Sequence, residues 1–244
     1  MFPGIRFYKD EERLEVRGRI CLKRGPTLEL LGCTPRGKTH ESLLLFDCNP
    51  KQLHLALVML GLQPTPQVAA FGERKALTRG DRVVLEVSWR AEDTPPEDPS
   101  APAPANGRVT RRAEDLVYDQ VRKDSMPRVG WVFTGSRNVL VPKPPDWETK
   151  HEVYAAEYAG NVAAVYHDPD ALLDTPLLEG GDDTVYVAYS DRVPERGTPV
   201  VLRLRKWKRG DGPDLPAAPS GGEEGTAPGG SAPGGEEGTA PGGS

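Results

Sequence analysis

What most constrains this chain is a period-two alternation of apolar side chains, in short runs separated by turn residues. Residues 14–24 (LEVRGRICLKR) put Leu14, Val16, Ile20 and Leu22 on one face, and Gly18 interrupts them, which predicts a strand with a bulge. A hairpin is predicted next: TLELLGC (27–33), a type I turn at Thr34-Pro35-Arg36-Gly37 with proline second and glycine fourth, then ESLLLFD (41–47). DRVVLEVSW (81–89) and NGRVTRRAEDLV (106–117) read as a second hairpin, split by the proline-rich loop TPPEDPSAPAPAN (94–106), which cannot pack a core. Further strands are predicted at 129–134, 153–158, 162–166, 184–190 and 199–205.

One helix is strongly signalled. Asn49 can cap it, Pro50 takes the first helical position, Gln52 stands three after the cap, and Gly61 can end LHLALVML. Its apolar residues run nearly all round, which predicts a buried helix. A second, short helix is predicted at 168–174, with Asp168 as cap and Pro169 in its first turn. The expected class is therefore α+β and strand-rich, built of antiparallel hairpins with one buried helix and a disordered C-terminal tail.

The tail is where composition matters. Residues 211–244 hold 11 of the 27 glycines and 6 of the 25 prolines, six carboxylates and no cation, and they repeat GGEEGTAPGGS at 221–231 and 234–244. With no aromatic or branched aliphatic residue in those repeats, nothing offsets the entropy of ordering them. The expected division is a domain over 1–209 and a disordered acidic tail over 210–244. Residues 1–210 carry 31 basic and 30 acidic side chains. That near-neutrality argues against a general nucleic-acid binder. No apolar run approaches a membrane span. Cys21, Cys33 and Cys48 are odd in number and form no disulfide framework, though one bridge would leave one free thiol. The N-terminus MFPGIRFYKDEERLEV lacks the basic start and apolar core of a secretion signal, so the chain as written reads as cytoplasmic; a missing leader would make it exported.

GKTHESLL (37–44), LHLALVMLGLQP (53–64), WVFTGS (131–136), GNVAAVYHDPDALLDTPL (160–177) and GTPVVLRL (197–204) follow one another in an order that resembles the YdjY-domain family of bacterial proteins. The likeness covers nearly all of residues 5–207. It implies a domain more than a reaction. Relatives that carry an iron–sulfur cluster do so on a cysteine run; this chain has no CxxCxxC, so no such cluster is expected.

Three chemical readings remain. Gly32–Thr39 satisfies G-x-x-x-x-G-K-[ST], the phosphate-cradling pattern. That loop needs a helix directly after it, whereas ESLLLFD reads as a strand, and Pro35 removes one N–H from the cradle. Nucleotide binding there is the least favoured reading. The predicted hairpin pairs Cys33 with Lys38, Leu31 with His40 and Glu29 with Ser42, so Glu29, Cys33, Lys38, His40 and Ser42 share one face. Leu28, Leu30, Leu43, Leu45 and Glu41 share the other. A zinc or iron ion bridged by Cys33 and His40, with Glu29 or His54 as third ligand, is one use of that face. Hydrolytic or redox chemistry through Cys33, His40, Glu41 and His54 is another. The plainer use is structural: Lys38 pairs with Glu29 across an exposed face, and His54 gives a ring N–H to a neighbour such as Glu41. Helix capping accounts for Asp168 and Asp170 beside His167 and Asp174. RLRKWKR (203–209) reads as the solvated end of the last strand. The expectation is a binding or accessory domain without enzymatic activity, with a protein or small-molecule partner and no nucleic acid.

Overall fold

The computed structural model describes residues 2–93, 106–145 and 147–215. The proline-rich stretch from 94 to 105 and the tail from 216, with its repeats, lie outside the described residues. The strands are β1 (Ile5–Tyr8), β2 (Arg13–Ile20), β3 (Leu30–Cys33), β4 (Ser42–Phe46), β5 (Arg82–Arg90), β6 (Arg108–Arg112), β7 (Val117–Asp119) and β8 (Asp124–Ser125). They continue with β9 (Trp131–Phe133), β10 (Asn138–Pro142), β11 (Lys150–Tyr154), β12 (Asn161–Ala164), β13 (Leu173–Asp174), β14 (Tyr186–Ala188) and β15 (Pro199–Lys206). Two short helices, α1 (Pro50–Met59) and α2 (Ala155–Ala159), complete the elements used below.

Eight strands close on themselves in the order β2-β15-β5-β9-β13-β12-β3-β4, and β4 returns to β2. This closed barrel replaces the expected α+β class. The alternation correctly marks strands that are apolar on one face, but which strands meet is set by pairings between distant parts of the chain. β1 and β6 extend the barrel sheet as flaps on β2 and β5, while β10–β11 and β14-β7-β8 form separate small sheets. Phe46, Trp89, Trp131, Phe133, Leu202 and Leu204 point inward and are fully buried, so side chains fill the barrel.

Several local expectations are corrected. β3 and β4 are parallel, with Leu30 opposite Ser42 and Cys33 opposite Leu45, and so form no hairpin. The turn at Thr34–Gly37 does form, with Gly37 N–H bonded to Thr34 O at 2.9 Å. A 3-10 turn at Thr39–Glu41 then carries the chain back, and it re-enters the sheet in its original direction. The return loop is held against α2 by Thr34 N–H on Gly160 O, 2.8 Å, and at Gly37 a β-carbon would stand 2.9 Å from that carbonyl oxygen. Asn49 caps α1 as its sequence predicts, accepting from the N–H of Lys51 and Gln52. The helix is only half-buried, however: Leu53, Ala56 and Leu57 face the core while Leu55, Val58 and Met59 are exposed. The strand expected at 153–158 breaks after Tyr154 into α2, and the helix expected at 168–174 is absent, Leu173 and Asp174 lying in β13. The folded region also runs past the expected boundary at 209. Asp211 pairs with Arg205 at 2.7 Å, and Leu215 packs on Ala69, Leu77 and Val132.

Gly18 makes no bulge. Its ladders to β15 and β4 run without interruption (Gly18 opposite Val200 and opposite Phe46). A β-carbon there would lie 2.3 Å from Leu45 O and 2.9 Å from Leu202 Cδ1, so the glycine permits the close approach that closes the barrel. Gly18→Ala is expected to destabilise the fold by about 1–3 kcal/mol, read from the urea denaturation midpoint.

Candidate functional site

The parallel pairing of β3 and β4 disperses the expected cluster. Cys33 is buried at the end of β3 among Cys21, Leu30, Leu45, Ala164 and Ala171, and burial pushes its thiol up to about 11. Ser42 is buried and donates to Lys38 O at 2.7 Å. Lys38 does pair with Glu29, as the structural reading expects, and lies 3.8 Å from Glu41. His40 is largely exposed, its Nε2 3.6 Å from Glu41. His54 faces elsewhere: its Nδ1 lies 2.9 Å from the Tyr154 hydroxyl and 3.2 Å from Gly135 O, not near Glu41. Burial there lowers its pKa. Cys33, His40 and His54 therefore do not converge. Among the described residues no group of three or more His, Cys, Asp or Glu side chains is placed to hold a metal ion. The Gly32–Thr39 motif leads through its turn and the three-residue 3-10 turn at Thr39–Glu41 into β4, with no α-helix after it to face a phosphate. Cys21, Cys33 and Cys48 are all free thiols.

His167 and Asp174, with Asn161 and Asp168 beside them, form a buried polar group. His167 Nδ1 meets Asp174 Oδ2 at 3.0 Å, and both side chains are sealed from solvent. Asn161 donates to Asp168 at 2.6 Å, and Asp168 accepts from Asp170 N–H at 2.8 Å. Burial works to lower the His167 pKa, but the Asp174 hydrogen bond and charge, aided by the carbonyls of Lys75 and Leu177, raise it above the usual histidine value. Burial also raises the Asp174 carboxyl, held back by the same histidine. His167 N–H bonds Gly180 O at 2.7 Å, and a β-carbon on Gly180 would lie 2.8 Å from the ring. No substrate reaches a ring packed this way. The pair acts as a clamp between β13 and the loops on either side of it.

The accessible chemistry is on the outer barrel face. Inward-pointing Leu14, Val16 and Ile20 leave Arg13, Glu15, Arg17 and Arg19 of β2 pointing out. Across β15, Arg203 bonds Glu15 at 3.1 Å, and Arg205 is held by Asp211, so the basic run of the last strand is neutralised. One row along, the register sets Arg17 beside Val201 and Ser88, and Arg19 beside Pro199. Arg90 and Arg108 face each other on β5 and β6. Arg17, Arg19, Arg90 and Arg108 line a cleft of about 600 Å³ together with Gly197, Pro199 and Val201. Asp47 and Asp93 are its two acidic residues. Arg108 is fixed by Ser88, Nε to Oγ at 3.0 Å and Nη2 to the backbone oxygen at 2.9 Å. Arg90 touches Glu92 at 3.3 Å, whereas the Arg17 and Arg19 side chains make no hydrogen bond or ion pair among the described residues. Sequence reasoning passed over this site because its arginines come from three strands separated by up to ninety-one positions; the only local signal is the Arg17–Gly18–Arg19 spacing.

The arrangement lies within the span, residues 8–205, that the family model described as the YdjY domain matches. The chain belongs to the YdjY-domain family. No curated protein and no solved structure gives a significant match to it. In this YdjY domain, no helix of the described residues is long and apolar enough to cross a membrane.

Two outcomes follow for the YdjY domain's buried pair. Asp174→Asn leaves a buried histidine without its counter-charge and is expected to lose about 3–5 kcal/mol in urea denaturation. Because the folded His167 pKa is raised, its contribution is complete below the ordinary value of 6.5 and is lost as pH rises through the folded value. The melting temperature is therefore expected to decline across that window in the wild type, and the decline to flatten in His167→Gln.

Proposed function

We propose that this YdjY domain is a binding module for an anionic ligand and performs no covalent chemistry itself. The observation that carries the reading is the outer cleft, where four arginines stand against two aspartates and two of those arginines, Arg17 and Arg19, have no side-chain hydrogen bond or ion pair among the described residues. Guanidinium groups present a rigid planar fork of donors that matches a carboxylate or phosphate bidentately. Arginines left without counter-charges on a folded surface lower the free energy of any such anion placed between them. The buried polar groups do not compete with this reading. The His167–Asp174 pair is inaccessible, and a thiol held near 11 is not a nucleophile at neutral pH.

The test is a thermal-shift survey of organic carboxylates and phosphates at low salt. A ligand at a hundred times its Kd is expected to stabilise by about 2.7 kcal/mol, or roughly 5–10 °C for a domain of this size. The shift should fall with added salt and disappear in the Arg17→Gln, Arg19→Gln double variant. Absence of any shift across the survey, or an equal shift in the double variant, overturns the proposal.

A further inference from the structure

Resting on the anion-binding reading, we propose that the ligand is an amphiphile, a medium-chain carboxylate whose head sits among the arginines and whose tail lies in an adjoining groove with an apolar wall. A second cleft of about 460 Å³ meets the first, sharing Arg17 and Val201 with it. Phe2 and Pro3 form its apolar far wall, Val201 lines it where it meets the first cleft, and Arg6 and Glu15 of β1 and β2 are its other charged members beside Arg17. The charged residues it does include are already balanced in part, because Glu15 accepts from Tyr8, Arg13 and Arg203.

The far wall is a built feature. Phe2 is partly buried and packs on the main core. Ile5 N–H bonds Phe2 O at 3.1 Å, which turns the segment into β1. Gly4 adopts φ +78, and a β-carbon there would lie 2.1 Å from Asp47 O, so only glycine lets this segment press onto the end of β4. Asp47 N–H in turn bonds Arg17 O at 2.8 Å, which ties the apolar wall to the strand that carries the arginines.

The two clefts adjoin at Arg17 and Val201, and their linings together span β1, β2, β15 and β5. Three inter-strand steps make this roughly 14 Å, long enough for an extended chain of medium length. Charge selects the head. Four arginines tempered by Asp47 and Asp93 suit an anion of one or two charges, whereas a polyphosphate or nucleic acid would have to pass two carboxylates. A single planar carboxylate can take the fork of Arg17 or Arg19 with its tail directed toward Phe2 and Pro3.

The experiment is titration calorimetry of the full chain with dodecanoate below its micelle concentration. Butyrate serves as head without tail, and dodecyltrimethylammonium as the same tail with the opposite charge. Dodecanoate is expected to bind at least about a hundredfold more tightly than butyrate, since most of its methylenes leave water. Arg17→Gln with Arg19→Gln should weaken both carboxylates by about tenfold or more, and Phe2→Ala should weaken dodecanoate while leaving butyrate unchanged. Unaltered urea midpoints certify that each variant is folded. If butyrate and dodecanoate bind equally and both are lost with the arginines, the amphiphile is overturned and the anion-binding reading stands. If the cationic amphiphile binds as well as dodecanoate, the arginines are bystanders and this inference fails. If neither carboxylate binds the wild-type chain while other anions do in the thermal survey, the inference again fails alone. Failure of both experiments removes the two readings together.

Discussion

The barrel closes at Gly18, and most of the rest depends on that contact. β2 is paired along its whole length with β15, and its other edge is shared: β1 takes the first half, while β4 takes Gly18–Ile20. Bringing β4 onto that edge places the Leu45 carbonyl and the Leu202 side chain where any β-carbon on residue 18 would sit. An open sheet of these strands would leave two edges unpaired and its inner leucines and aromatics half-covered. Closure removes both liabilities, because every inward residue then meets others across the barrel axis.

Closure also decides what the molecule can do. An eight-stranded barrel is just wide enough for side chains to fill, and here Trp89, Trp131, Phe46 and Phe133 are among those that fill it. Polar groups taken inside must pair with each other, as His167 does with Asp174 and Asn161 with Asp168. Their role is to hold the loops around β13. The outer face is where alternate residues of β2, β5 and β6 point to solvent and the register aligns arginines from all three strands.

The small return loop between β3 and β4 shows how one topological choice rewrites chemistry. In an antiparallel hairpin, Cys33, Lys38 and His40 would have stood on one face within reach of a metal. In the parallel pair that forms, Cys33 is driven into an apolar cluster, His40 is left outside on the 3-10 turn, and only the Lys38–Glu29 contact survives. The turn chemistry of Thr34–Gly37 is the same in both cases. A β-turn reverses the chain for four residues, and the segment after it decides whether the reversal is kept.

The sequence by itself determined the elements whose causes are local. Alternating leucines and valines mark strands within 14–24, 81–89 and 199–205; the Asn49–Pro50 cap marks a helix start; and the ordered series of motifs from residue 37 to 204 placed the chain in its family. That Arg17 and Arg19 share a face followed only once Gly18 formed regular ladders instead of the expected bulge. Only the tertiary structure decided that the strands close into a barrel, that β3 and β4 run parallel, and that Arg90 and Arg108 stand beside that pair. The physical reason is range. Propensity, capping and turn geometry act over a few bonds, whereas strand partnership depends on which apolar faces bury each other across the whole chain, and that comparison is made only when all of them are present at once.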